Sequence, residues 1–444
     1  MENGLGPQVH IVGGGTVFHV RPHLSLSSVA YGRTARRLKD LCAPVWGEDN
    51  VHLHLTRMAN SGTGDLETNE DVRRLLVRIV ADPDVKVLFL PVSLVDFTAK
   101  VLAKGSVPTD SGKLEPMLRS GDGRHIASLD PSEKIIPGVR HYRKDLYLIG
   151  FRTTAGASED EQFVAGYRFL RSASCNLVMT NDMHTRINMI VAPEQVRYHT
   201  SLDKDEVLER LTTMVSSRSR LTFTRTTTPV GPDVPWASEV VPEALRAVLE
   251  HCVSRGAYKA VLDTTPGYVS VREGDRSILT TARWADVRKI DEEGLTRCEF
   301  GEDRAVTAYG RKPSFEIQDQ ISVFRDHEGV DCVIHFHCPL RPDRPDSIPV
   351  REQWPFECGS HESGANVSSG MKRFGESTAV MLRGHGPTVA FSKDADPGKV
   401  VSFIERNFDL LGRTDGIKAE VLGVGQELKT SSLRPPAQMS DFPE

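Results

Sequence analysis

The chain has 444 residues, enough for two or three domains at roughly 150 residues each. Hydrophobic content of 39% and charged content of 26% are those of a folded globular protein, which excludes a disordered or fibrous chain. A net charge of -5 gives no basis for a nucleic-acid partner, and no run approaches the roughly 18 apolar residues of a membrane span.

Cysteine usage narrows the setting. The 7 cysteines are scattered without a Cys-X-X-Cys pair, which argues against a disulfide framework or a thiolate zinc site. The chain opens without the basic-then-apolar pattern of a signal segment. A cytoplasmic protein with no membrane partner is the expectation.

In chain order, Val9 to Val12 reads as a short strand, followed by a glycine turn, Gly13-Gly14-Gly15-Thr16, and a helix near Tyr31 to Leu41. Strand, glycine turn and helix open many nucleotide-binding sheets, because glycine lets backbone N–H groups approach a phosphate. A plain structural turn satisfies the same residues. Val51 to Leu55 reads as a strand, and Thr68 to Ala81 as a helix with Val72, Leu75, Leu76, Ile79 and Val80 on one face. Thr68 or Asn69 can cap it. Val85 to Val92 is nearly continuous in apolar residues, as in a strand buried on both faces. Further strands at Leu146 to Phe151 and Leu177 to Thr180 flank a helix at Glu159 to Ser172. This alternation predicts an α/β, doubly wound, mostly parallel-sheet domain.

With these pieces in place, the first half resembles the phosphopantothenate–cysteine ligase family, also described as the DNA/pantothenate metabolism flavoprotein C-terminal region. The matching residues are Gly13-Gly14-Gly15-Thr16, Ser27-Ser28 with Gly32, Pro91 to Phe97, Gly112-Lys113-Leu114, Ile149-Gly150-Phe151 and Thr180-Asn181-Asp182. The resemblance implies a nucleotide, CTP or ATP, held by Gly13, Gly14, Gly15, Ser27, Ser28 and Asp96. It also implies Lys113 in a lysine loop and Asn181 at an activated acyl group. Ser25 and Val29 stand where the family has Asn and Gly, and the lysine loop carries one basic residue. A retained scaffold is the alternative, and Asn181-Asp182 also suits an Asx turn after a strand.

Residues 224–238 hold three prolines and a glycine among polar residues and read as an extended linker. Glu243 to Ser254 then reads as an amphipathic helix, Tyr268 to Val271 and Ile278 to Thr281 as strands, and Glu316 to Phe324 as a helix. Val330 to Ile334 is a strand that ends in His335-Phe336-His337. Residues two apart in a strand share a face, so both imidazoles project together. A third, His385, sits between two glycines after the apolar run Ala379 to Leu382. Three His ligands with an open fourth position make a catalytic metal site, although a His-X-His pair by itself is also an ordinary structural feature. A last helix is predicted at Lys399 to Leu411, and residues 425–444 read as a tail.

From Glu239 to about Gly425 the chain resembles the class II aldolase/adducin family. The motifs Gly267 to Arg272, Lys312-Pro313-Ser314-Phe315-Glu316, His335-Phe336-His337, Glu357-Cys358-Gly359-Ser360 and Gly384-His385-Gly386 stand in the family's order. The resemblance implies a central antiparallel sheet with helices on its faces and a divalent metal, zinc first, on His335, His337 and His385. It implies Glu316 as the proton-transfer residue, with Phe315 in place of the family's second Ser. A Glu opening a helix also complements the helix dipole. The family's phosphate turns read Gly267-Tyr268 and Thr280-Thr281-Ala282-Arg283 here, which puts a phosphate pocket of the usual kind in doubt.

The sequence therefore predicts a ligase-like domain at 1–223, a linker at 224–238, an aldolase-like domain at 239–424 and a flexible tail at 425–444. The expected enzyme is a metal-dependent lyase that cleaves or forms a C–C bond through a metal-stabilised enediolate, acting on a small carbonyl, hydroxyl or carboxylate compound. Alternatives are a nucleotide-dependent carboxylate–amine ligase with an epimerase, decarboxylase or dehydratase second half, or a non-enzymatic adducin-like module. The aldolase resemblance implies a homo-oligomer.

Overall fold

The computed structural model describes residues 6–102, 108–302 and 305–414. The predicted tail at 425–444 lies outside them, as does the end of the predicted second domain.

Two sheets organise the chain. The first runs in the order Val196–Ser201, Asn188–Ala192, Leu177–Asp182, Tyr147–Thr154, Val85–Leu90, Gln8–Gly15 and Val51–Leu55. Its last five strands are mutually parallel, and an antiparallel pair closes one edge. Parallel strands are covered on both faces, which explains the near-continuous apolar runs such as Val85–Leu90. Helix Asn69–Ala81 buries the five predicted apolar residues, and Thr68 closes its start in a reciprocal capping box with Asp71. Such a cap stabilises a helix by about 1 kcal/mol.

The glycine segment differs from its reading as a turn. Gly13 to Gly15 continue the first strand, and a hairpin, Val17–Arg21 with Leu24–Ser27, precedes helix Arg33–Trp46. Glycine is needed there because the chain packs against itself. A Cβ on Gly13 would meet Ala35 Cβ at 2.2 Å, and one on Gly14 would meet Thr56 Oγ1 at 2.1 Å. Close helix–strand approach, rather than chain reversal, selects these glycines.

The second sheet is mixed and mostly antiparallel, with Tyr268–Gly274, Cys332–His335 and Gly386–Phe391 adjacent at its centre. Side chains alternate between its faces. Val269, Ile334 and Val389 join helices Glu243–Ser254 and Pro397–Asn407 in one core. Tyr268, Val333 and Ala390 join helix Ile317–Asp326 in the other. The last helix stops at Asn407, short of its predicted end. Segment 224–238, which reads as a linker, is built into this half: Thr226–Thr227 pairs with Val306–Ala308, and Val234 and Trp236 enter the core.

Among the described residues no helix is long and apolar enough to cross a membrane. The cysteines are all free and buried, in keeping with their scatter along the sequence.

Candidate functional site

The three predicted histidines converge. His335 ends the central strand Cys332–His335, His337 follows two residues on, and His385 lies in the tight connection between Ser377–Arg383 and Gly386–Phe391. Two glycines make the approach possible. Gly386 has φ +154°, and a Cβ on it would strike the Phe336 carbonyl oxygen at 2.2 Å. Gly267, at φ +108°, passes His335 O with the same clearance. One ligand nitrogen from each imidazole lies within 4.8 Å of the others. All three rings are buried.

Hydrogen bonding decides which nitrogens are free. His335 Nδ1 donates to Pro387 O at 2.9 Å, which turns its Nε2 toward His385 Nε2, 3.3 Å away. Both ring nitrogens of His337, and Nδ1 of His385, are buried without a partner. Burial, followed by the charge of His385, holds His335 and His337 well below the usual imidazole range. Burial and then Arg218 take His385 down to about 3. The rings are thus neutral, the form that ligates a metal. Orphaned buried nitrogens on three neutral imidazoles fit a divalent cation, and they are costly to leave unpaired otherwise.

Glu316 stands beside this cluster. It occupies the N-cap position of helix Ile317–Asp326, and its Oε1 lies 3.8 Å from His385 Nε2. Ser314 Oγ donates to Oε2 at 2.5 Å, so the second oxygen is the one that faces the histidines. Burial raises the carboxyl above its usual range, partly offset by Ser314. A raised carboxyl next to an electrophilic centre is suited to accept and return a proton. Asp319, also buried, is pushed well up by burial and then by Glu316. Cys358 and Glu316 place ligand atoms within 4.8 Å of His385, a second donor group that the motif Glu357-Cys358 contained but whose role its spacing did not reveal.

A buried polar network from the first half packs against this region. Arg218 and Glu194 form an ion pair at 2.6 Å with both side chains at 0% exposure. Tyr198 Oη donates to Glu194 Oε1 at 3.1 Å, and Arg218 Nε donates to the Trp354 carbonyl at 2.9 Å. Glu357 accepts from Tyr147 Oη at 2.7 Å and Asn176 Nδ2 at 2.9 Å. These contacts join the halves through the segment that leads into Cys358. Neither Glu194 nor Arg218 carries a sequence signal, since each reads alone as a surface charge.

The residues predicted to hold a nucleotide gather more loosely. Gly13 to Gly15 and Asn181 stand at the carboxyl ends of parallel strands, where such sheets bind ligands. Ser28 Oγ lies 2.6 Å from Ser93 Oγ, just beyond a third strand end. The Gly15 N–H, however, is spent on Ala30 O at 2.8 Å. Ser27 is exposed, Lys113 pairs with Glu67 at 2.5 Å, and Asp96 pairs with Lys134 at 2.6 Å. Asn181 Oδ1 accepts from Thr153 Oγ1 at 3.2 Å.

Asp182 has a structural task. Its Oδ1 accepts from the N–H groups of Gly156, His184 and Thr185, and its Oδ2 from Ala157 N–H and Thr154 Oγ1. The His184 bond is an Asx turn. Burial opposes the charge, but the Thr185 and Ala157 donors outweigh it and hold the carboxyl well below its usual range. Because the folded value is depressed, this stability is present above the unfolded carboxylate range. It is lost as pH falls below about 4 toward the folded value. Asp182→Asn should cost about 1–3 kcal/mol at neutral pH in urea unfolding, with the difference from wild type shrinking in acid. An unchanged gap between the two proteins from pH 7 to pH 2 would refute this.

Comparison with known proteins follows the division into halves. No curated protein sequence matches the chain. The structure of the DNA/pantothenate metabolism flavoprotein from Streptococcus pneumoniae is similar over 46% of this chain and 96% of its own, at 19% identity and TM-score 0.39. The C-terminal domain of Coenzyme A biosynthesis bifunctional protein CoaBC is similar over 48% of this chain and 94% of its own, at 13% identity and TM-score 0.34. L-fuculose 1-phosphate aldolase is similar over 38% of this chain and 83% of its own, at 19% identity and TM-score 0.29. Within the second half, residues 249–340 match the sequence profile of the Class II Aldolase and Adducin N-terminal domain.

Proposed function

We propose that the second half is a metal-dependent lyase of the class II aldolase type, which breaks or forms a carbon–carbon bond next to a carbonyl. In this reading residues 1–223 and 239–424 are its two domains, and the enzyme is a cytoplasmic homo-oligomer. The observation that carries the proposal is the convergence of His335, His337 and His385 with buried, unpartnered nitrogens beside Glu316. A divalent cation, zinc first, would supply electrophilic polarisation of the substrate oxygen. His335 is oriented for this by Pro387, as metal-bound imidazoles are held by a backbone carbonyl on their other nitrogen. Glu316 moves the proton at the adjacent carbon, and Ser314 fixes which of its oxygens does so. Buried walls around the cluster exclude bulk water, which strengthens each of these interactions.

For the first half we propose nucleotide binding at the carboxyl ends of its parallel strands, supported by the placement of Gly13 to Gly15, Ser28 and Asn181 there. A carboxylate–amine ligase is the activity that reading leads to. Both proposals are tested on the purified full-length chain. Elemental analysis should find about one divalent metal per chain in the wild type and a loss of it in His337→Ala. Calorimetric titration should find saturable binding of CTP or ATP. A metal-free wild type that takes up no added zinc defeats the lyase; no nucleotide binding up to the millimolar range leaves the first half a scaffold.

A further inference from the structure

A cavity of about 580 Å³ lies in the seam between the two halves. Arg171 and Asn176 of the first half line it together with Arg283, Lys312, Phe315 and Glu357 of the second. Its cations are not equivalent. Arg171 is neutralised by Asp263 at 2.5 Å, and Arg311, also on the wall, by Asp233 at 2.9 Å. Arg283 and Lys312 form no ion pair among the described residues, and Arg283 Nε is buried without a hydrogen-bond partner. The Arg283 guanidinium lies 4.0 Å over the Phe315 ring, which fixes the plane of its donor fork. The one carboxyl on the wall, Glu357, has both oxygens engaged by Tyr147 and Asn176.

A guanidinium held flat, partly desolvated and unpaired calls for an anion from outside the chain. The cavity also shares a wall with the histidine cluster. Phe315 and Glu357 line it, and the next residue of each, Glu316 and Cys358, places an atom within 4.8 Å of His385. We propose that this cavity receives the anionic end, a carboxylate or a phosphate, of the lyase substrate, with Arg283 as its anchor. This rests on the lyase reading above and adds the substrate class: a small anionic carbonyl compound whose pocket is closed by the first half. The volume suits such a molecule. Ala282 and Arg283 replace the hydroxyl-bearing turn expected for a phosphate pocket of the family's usual kind, so recognition here is by charge and fork geometry.

The test uses the full-length metal-loaded protein, titrated calorimetrically with inorganic phosphate and, separately, with malonate. At least one should bind saturably at one site per chain, and the tighter of the two identifies the group. Arg283→Met should weaken that binding about 10- to 100-fold, the effect expected for losing a charge-assisted hydrogen bond. Arg283→Lys, which keeps the charge without the fork, should recover part of it and guards against misfolding of the first variant. Metal content should match wild type in both. Failure of wild type to bind either anion, or equal binding by wild type and both variants, overturns the pocket. A protein without metal whose anion binding still depends on Arg283 overturns the lyase instead.

Discussion

Glu316→Gln should lower turnover by about 10²- to 10⁴-fold while leaving bound metal unchanged, the range typical of a positioned proton-transfer group. The substitution keeps the size of the side chain and its N-cap position in the helix Ile317–Asp326. It removes the group that accepts the proton. Exchange of a substrate's carbon-bound proton with solvent deuterium, followed by NMR, reads this step without requiring the whole reaction. His337→Ala provides the contrast, because it should lose metal and exchange together. Normal exchange in Glu316→Gln would place the proton on another residue. Loss of metal in that variant would make Glu316 a ligand, in the alternative donor group it forms with Cys358 and His385. The raised carboxyl bears on the same point. Burial favours its neutral form, so the base is weakly charged at rest and gains strength where a nearby positive centre stabilises its ionised form.

The parts of this site that were legible in sequence are those with local periodicity. His335 and His337 share a strand face, and strand alternation alone places them together. His385 was legible through its glycines, and Gly386 proves to be the residue that lets its loop touch Phe336. Helix Asn69–Ala81 followed from its apolar spacing and cap. What was not legible depends on contacts between distant residues. Gly13 to Gly15 read as a turn because glycine usually punctuates, whereas here it clears space for Ala35 and Thr56. The edge hairpin Asn188–Ala192 with Val196–Ser201, and helix Lys204–Arg218, were not predicted, and these supply Tyr198 and Arg218 directly. Glu194 comes from the turn between those strands. Arg283 was noted as an anion contact, but its orphaned nitrogen and its seat over Phe315 exist only once the halves are packed.

Arg218→Met should be the most destabilising single change among these buried contacts, by about 3–5 kcal/mol in denaturant unfolding. The reason is the partner left behind. Glu194 has no solvent exposure, and without the guanidinium its carboxylate would be a buried charge with only the Tyr198 hydroxyl to stabilise it. Much of that cost belongs to the orphan and not to the pair, because two charges taken out of water together regain little more than their desolvation penalty. The double variant Arg218→Met with Glu194→Leu should therefore recover most of the loss. The bond from Arg218 Nε to the Trp354 carbonyl would still be missing, so recovery should fall short by roughly the 0.5–1.5 kcal/mol net worth of one hydrogen bond. That bond ties the helix Lys204–Arg218 of the first half to the segment approaching Glu357 and Cys358 in the second. If the double variant is as unstable as the single one, the loss lies in packing across the seam. If Arg218→Met unfolds within about 1 kcal/mol of wild type, water reaches Glu194, and the dry environment invoked for Glu316 and the histidines would have to be given up.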